Sequence, residues 1–416
     1  MRTEGLSKSQ AYAAANVTPP LTNVFNTLDK PLHRVKRKLI APAINERSMR
    51  TFEPTMMRHI DVFVKQLFAS YQENPSKPVN MSERCRWLGI DVVGQLAFGY
   101  DLDLQTEETH RYLVHGMMTG SHRLNMYTQF QSLTQLRLEF FFHLVSVFRG
   151  ESFLRTVKKM IQARLAEEKH AKHDLYSFMI DSVGSEGEDS AALREIWIEA
   201  IFFLPAGGDT SSTTMSSLFF YLARCPECQA KLAKELKSAF PTSADIRAGP
   251  QLAACRYLRA CIDEALRMSP PAPGTLWRQQ SPESRGKPLV VDGHVIPPGT
   301  QVGVSAYSLH HNEEYFPDPF TYEPERWLAE KDDRVTRAAF IPFSAGGRSC
   351  PGKAMAYQEI SLTLAKSVWH FEFEHAAGYA TDAVEFELQD IFTTASDGPY
   401  LNFRPRDVRQ AAGDGH

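Results

Sequence analysis

Near the C-terminal end, the ten residues Phe343-Ser-Ala-Gly346-Gly-Arg348-Ser-Cys350-Pro-Gly352 confine one cysteine to a loop between an apolar stretch and a run of helix formers. Gly346 and Gly352 permit tight backbone turns and close approach to a flat macrocycle. The loop can aim amide N–H groups at the cysteine sulfur, which lowers the charge density of a thiolate and tunes a metal that it holds. Arg348, two residues away, is placed to pair with a carboxylate. An isolated cysteine is most often a buried free thiol. Phe, Gly, Arg, Cys and Gly in this register instead meet the requirements of a thiolate ligand to haem iron.

The stretch resembles the haem-binding signature of the cytochrome P-450 superfamily. That resemblance implies a mainly α fold with small β-sheets (α+β). It also implies haem b with Cys350 as axial thiolate ligand, and Phe343, Gly346, Arg348 and Gly352 around the cofactor. Three further segments fit the same family.

Ala206-Gly207-Gly208-Asp209-Thr210-Ser211 lies inside an apolar, helix-like segment spanning about 193–223. Two glycines in a helix interior cost roughly 1 kcal/mol each, which points to a groove where a ligand meets the backbone. An acid followed by a hydroxyl residue suits proton delivery, although Asp and Thr are also good helix N-caps. The segment is similar to the family's oxygen-activation helix, which makes Asp209 and Thr210 the expected catalytic pair. Pro205 departs from that pattern, because an interior proline removes a hydrogen bond and kinks a helix at a cost of ~3 kcal/mol. The path before Ala206 stays open.

The second segment, 258–268, is an amphipathic helix carrying Glu264 and Arg267 three apart, on one face. Alone, this is an ordinary surface pair. With Pro324-Glu325-Arg326-Trp327 further on, the resemblance assigns Glu264, Arg267 and Arg326 to one buried charge triad of structural role. The third, His33-Arg-Val-Lys36-Arg37-Lys38, places His33 and Arg37 four apart on a helix face. Read alone it is a solvated basic face. The resemblance makes His33 and Arg37, with Arg278, partners of the haem propionates. Lys36 and Lys38 then point elsewhere, toward a basic surface for an acidic redox partner.

Composition fits an ordinary soluble globular chain: 416 residues, 43% hydrophobic, net charge −3. Nucleic acid is not an implied partner. Length alone allows two or three domains, but no linker divides the motifs, so 1–409 reads as one domain and 410–416 as a polar tail. Six cysteines without a regular framework fit a reducing compartment. Cys225-Pro-Glu-Cys228 is weak as a zinc or redox motif and reads as a helix boundary. Asn16-Val-Thr18 and Asn80-Met-Ser82 match the glycosylation pattern by chance. No segment qualifies as a membrane span. The apolar run 140–148 is either buried core or a dip into a membrane surface. The polar stretch 184–190 interrupts the helical half, and 353–369 reads as a helix under the haem. Tight hairpins are expected at Asp292-Gly293 and around Ser396-Asp397-Gly398.

Only a short segment precedes the His33 helix, where eukaryotic family members carry an anchor, a first helix and outer sheet strands. The resemblance therefore implies an N-terminally short member, lying toward the cytosol where longer relatives sit in the endoplasmic reticulum membrane. The leading expectation is a monooxygenase fed by NADPH through a separate flavoprotein reductase, using O2 on an apolar substrate. Asn23-Val-Phe-Asn26 and Tyr315-Phe-Pro-Asp-Pro-Phe320 look most like fungal members that tailor secondary metabolites. The alternatives are a haem-binding remnant without catalysis, or a haem-thiolate isomerase or dehydratase that works without a reductase. By resemblance, Leu204, Ala206, Thr275 to Trp277 and Ile391 to Thr393 line the pocket.

Overall fold

The computed structural model describes residues 5–14, 22–130, 155–183, 191–281, 287–328, 334–379 and 382–406, with positions 132, 133, 153 and 284. Its helices are α1 (Ala11–Ala14), α2 (Lys30–Ile40), α3 (Glu46–Glu73), α4 (Met81–Phe98), α5 (Tyr112–Gln129), α6 (155–165), α7 (Leu175–Val183), α8 (Ala191–Arg224), α9 (Pro226–Ala239), α10 (Pro250–Ala253), α11 (Arg256–Met268), α12 (Ala306–His310), α13 (Arg334–Ala339) and α14 (Lys353–His370). Local chemistry sets several of their ends. The Asp29 carboxylate accepts the Leu32 N–H at 2.6 Å and Pro31 sits in the first turn, so α2 starts there. Asn80 caps α4 through the Ser82 and Glu83 N–H groups, and Gly99 closes it at φ +57°. Because that side chain also donates to Asp397 and Tyr400, Asn80 is part of the framework.

The long helix α8 runs unbroken through Pro205. The lost hydrogen bond is outweighed by burial along most of the helix, where α4, α7, α11 and α14 all pack against it. Its closest neighbour is α4. A Cβ on Gly89 would lie 2.8 Å from the Gly208 carbonyl oxygen, one on Gly208 2.9 Å from Ile90 Cγ1, and one on Gly207 3.0 Å from Val93 Cγ2. The paired glycines therefore serve backbone-close helix packing, which corrects the expectation of a ligand groove there.

Two apolar cores flank this helix pair. One joins Phe63, Leu218, Phe219, Ile262, Leu364 and Phe371 from α3, α8, α11, α14 and the strand after it. The other joins Ile90, Phe98, Met117, Met179, Ile196 and Leu204 from α4, α5, α7 and α8. Each fully buried side chain of this size contributes about 1.5–3 kcal/mol relative to exposure.

The strands are β1 (Leu6–Lys8), β2 (Val79–Asn80), β3 (Arg278–Gln280), β4 (Leu289–Val291), β5 (His294–Ile296), β6 (Gln301–Val302), β7 (Phe371–His375), β8 (Gln389–Ile391), β9 (Thr393–Ala395) and β10 (Tyr400–Pro405). They form small antiparallel sheets of order β1-β3-β6 and β2-β10-β7, with pairs β4-β5 and β8-β9. Asp292 and Gly293, at φ +49° and +79°, turn the β4–β5 hairpin as expected. The expected hairpin around Ser396-Asp397-Gly398 does not form. That turn passes from β9 to β10, which pairs with β7 and β2, while β9 pairs back on β8.

Cys225 is the N-cap residue of α9 and Pro226 opens it. The two cysteines, Cα atoms 5.2 Å apart, are joined in a disulfide, so the helix boundary is also a covalent clip, beyond the all-reduced expectation. Among the described residues no helix is long and apolar enough to cross a membrane. Asn16, 140–148, 184–190 and the tail 410–416 lie outside the described residues.

Candidate active site

The Cys350 loop is held by its own backbone. Cys350 N–H donates to the Phe343 carbonyl at 2.8 Å, and Ser349 N–H to Gly346 at 3.0 Å. Gly346 adopts φ +75°, a conformation that favours glycine. Gly352 does not: its φ is −81°, and it starts α14. A Cβ there would stand 3.8 Å from the Cys350 sulfur, an ordinary van der Waals contact, so neither backbone conformation nor space within the chain itself demands glycine at this position. The Gly352 and Lys353 N–H groups are directed at that sulfur and favour the thiolate, but burial dominates and holds the thiol pKa above its usual value. Cys350 is nevertheless open to solvent, unlike the buried Cys85, Cys255 and Cys261. A sulfur on the floor of a recess satisfies both observations. Phe343 packs 5.2 Å from the Tyr357 ring.

Around the recess stands a set of cations. Arg37 on α2 donates to the Ser349 carbonyl at 2.5 Å. Arg348 donates to the Thr27 and Leu28 carbonyls at 2.6 and 3.0 Å. Arg278 on β3 reaches the Leu276 and Trp277 carbonyls. His33, buried on α2, has its pKa lowered to about 4, by burial first and then by Arg348, Arg37 and Lys8. Each arginine here is oriented by backbone carbonyls, and among the described residues none is neutralised by a carboxylate in contact. Lys36 is not on the surface as expected. It is buried against Glu195 and Glu199, the latter 3.4 Å away, while Lys38 is exposed. Burial raises the Glu199 pKa to about 7 despite that lysine.

On α8, Phe202, Ala206 and Thr210 recur four apart and form a partly exposed stripe. The Thr210 hydroxyl donates to the Ala206 carbonyl at 2.7 Å. Asp209 lies one residue round the helix, buried toward α4, and neither carboxylate oxygen has a hydrogen-bond partner among the described residues. Burial raises its pKa to about 6, with Arg86 of α4 pulling the other way. Both residues are deep inside the helix, so the N-cap reading is excluded.

Facing the stripe is an aromatic group, in which Phe392 was expected as part of Ile391 to Thr393 and Phe25 and Tyr12 were not. Phe25 stacks on Phe202 with centroids 5.2 Å apart, and Phe392 meets Phe25 edge-on at 5.5 Å. Tyr12 lies 5.5 Å from Phe25. Phe392 sits at the β8–β9 tip with φ +91°, a strained conformation for a bulky residue. The neighbouring Ile391 and Thr393 are buried, and Leu204 belongs wholly to the second core, so these three do not line the recess. Trp277 donates to Gln129 at 3.1 Å, and Thr275 bridges to Ser305. Phe202 was legible in principle, one turn before Ala206; Phe25 lies in the Asn23-Val-Phe-Asn26 stretch, whose family likeness did not point to the pocket, and Tyr12 carried no local signal.

Behind the cysteine loop, Glu264 and Arg267 are both fully buried and form a two-pronged pair at 3.0 and 2.8 Å. Arg326 reaches Glu264 at 3.3 Å. His310, missed in the sequence, links this cluster to the loop. Its Nδ1 lies 3.2 Å from the Arg267 carbonyl, and its Nε2 accepts the Ile341 N–H at 2.9 Å. The ring is thus the neutral Nδ1–H tautomer, and burial lowers its pKa to about 3.

The family model described as cytochrome P-450 matches residues 6–399. The chain is 34% identical over 401 residues to the cytochrome P-450 monooxygenase poxM of Penicillium oxalicum, spanning 95% of this chain and 77% of that protein. It is 31% identical over 419 residues to a cytochrome P-450 monooxygenase of Gibberella zeae, spanning 97% and 96%. It is also 30% identical over 430 residues to the monooxygenase apf7 of Gibberella fujikuroi, spanning 96% and 81%.

Proposed function

Because this chain belongs to the cytochrome P-450 family of oxidoreductases, we propose that it is a haem-thiolate monooxygenase placing one oxygen atom of O2 into an apolar organic substrate. The donor set fits haem b. One reachable sulfur has amide N–H groups aimed at it, and cations with no contacting carboxylate of their own match the need of two propionates. Cys350 would be the axial ligand, with Arg37, Arg278, Arg348 and His33 at the carboxylates and Phe343, Gly346 and Gly352 shaping the loop. Haem bound there supplies a redox-active iron for reductive activation of dioxygen.

The protein's own part is positioning and proton control. The Thr210 hydroxyl, on the open stripe, orients a water or proton donor toward the recess. Asp209, poised by burial near neutral pH, replenishes protons from the α4 side. Phe25, Phe202 and Phe392 offer an apolar, aromatic wall to the substrate. Electrons come from NADPH through a separate flavoprotein reductase, with Lys38 on the surface open to it. The relatives are fungal monooxygenases, and tailoring of a secondary metabolite is the role we assign.

The observation that carries this reading is a reachable sulfur beside Arg37, near further cations that lack contacting carboxylates among the described residues. It is tested by the carbon monoxide difference spectrum of the reduced, purified chain. The parent is expected to show the red-shifted Soret band of a thiolate-ligated haem, and Cys350→Ala to lose it. A variant that keeps the band would rule Cys350 out.

A further inference from the structure

We propose that Lys8, on the N-terminal strand, is a further side chain holding a haem carboxylate, an inference that rests on the haem-site reading above. Lys8 is 7% exposed. In the register of β1 against β3 it stands directly opposite Arg278. Like charges facing each other on one side of an antiparallel pair repel, and the Lys8 end of this pair is buried while Arg278 is only partly so.

Around the amine, among the described residues, stand one carbonyl and two aromatic rings. Nζ donates to the Phe25 carbonyl at 2.5 Å and sits 3.5 Å from the Phe25 ring centroid and 4.2 Å from that of Tyr12. Among the described residues no carboxylate forms an ion pair with it. An aromatic cage and one carbonyl hold the amine in place, yet leave a buried charge without a counter-charge, the situation that buried ions normally avoid. Burial, then Arg278, then Arg348 lower its pKa well below the usual lysine value.

The same two arginines are held by backbone carbonyls, and His33 feels Lys8 as well. Among the described residues, Asp29 is the acid that acts on Arg348. Cations gathered from β1, α2, β3 and the cysteine loop, without a contacting carboxylate among the described residues, define a well for a dianion. Two haem carboxylates supply that charge. Lys8 supplies one charged donor from the strand edge, where the cysteine signature gives no hint of it.

The test uses the full-length holoprotein and follows haem transfer to excess apomyoglobin by the Soret band. Lys8→Met keeps the side-chain length and removes the charge, and haem loss should quicken on the order of ten-fold, the worth of one charge-assisted hydrogen bond. Lys8→Arg should restore slow loss. With haem dimethyl ester, whose carboxyl groups carry no charge, parent and Lys8→Met should lose the macrocycle at the same rate.

Arg348→Leu separates the two readings. If it speeds loss while Lys8→Met does not, the Lys8 proposal falls and the haem site stands. If neither speeds loss, the carboxylate well itself is wrong. A Lys8→Met effect that persists with the dimethyl ester would mean that Lys8 acts through packing, and would overturn the proposal. Should Lys8→Met fail to fold, Lys8→Gln, which keeps a donor for the Phe25 carbonyl, takes its place with the same outcomes.

Discussion

Glu264→Ala removes the acceptor on which Arg267 Nε and Nη2, Arg326 Nε, the Glu323 N–H and Trp327 Nε1 converge, at 3.0, 2.8, 3.3, 3.2 and 2.9 Å. The guanidinium of Arg267 keeps its bonds to the His310, Pro319 and Thr321 carbonyls. It therefore cannot swing out to water, and the mutation leaves its charge buried and uncompensated. Breaking such a pair costs ~3–5 kcal/mol, a large share of the ~5–15 kcal/mol that holds a typical domain together. Unfolding entropy near ~2.1 cal/mol/K per residue, applied to 416 residues, amounts to roughly 0.9 kcal/mol/K. The midpoint should then fall by roughly 3–6 °C. Glu264→Gln should be nearly as damaging, because its amide N–H₂ turns donors toward a donor. Replacing Glu264, Arg267 and Arg326 together by apolar residues should be milder than either, since no charge is then stranded. Thermal melts of the haem-loaded proteins, followed by far-UV circular dichroism and by the Soret band, measure all three. A Glu264→Ala protein that melts within about 1 °C of the parent and keeps its haem would refute the reasoning.

Thr210→Ala should leave substrate-induced spectral shifts intact while diverting NADPH-derived electrons to hydrogen peroxide; unchanged coupling of NADPH to product would remove Thr210 from proton delivery. His310 is neutral when folded, with a pKa near 3, but titrates near 6.5 when unfolded. The unfolded chain thus binds the extra proton first, so the stability due to the neutral ring is complete above pH ~6.5 and is lost as pH falls toward 3. Melts from pH 7 to 4 should show a steeper fall for the parent than for His310→Asn, and parallel curves would contradict the buried neutral ring.

Much of the architecture could be read from the chain because its signals are local. The Asp292-Gly293 turn and the apolar period of α8 and α11 each act within a few residues, as do the Asp29 and Asn80 caps, which went unread. The readings that failed depended on partners far away. Lys36 looked like one more surface cation because its acids, Glu195 and Glu199, are on another helix. Gly207 and Gly208 announce close approach, but periodicity does not say whether a ligand or another helix approaches; α4 does. The turn at Ser396-Asp397-Gly398 has hairpin chemistry, yet β10 finds more pairing with β7 than β9 could give it. At the recess, the cysteine loop and the arginines carry recognisable chemistry, whereas the family-like stretch holding Phe25 says nothing of where that ring packs and the segment holding Tyr12 has no pattern of its own.

Where Gly89 meets Gly208, the carbonyl of one helix occupies the space that any side chain of the other would need. No rotamer can absorb a change at that contact, because no side chain is there to rotate. Helices α4 and α8 must accordingly move as a single beam, and the wall carrying Ala206 and Thr210 is a fixed datum from which other parts of the recess are measured. Adaptation to a new substrate then falls to what hangs from loops: Phe25 ahead of α2, and Phe392 on its two-stranded arm. Sequence drift within a lineage sharing this contact should be steep at those two positions and nearly flat at the two glycines.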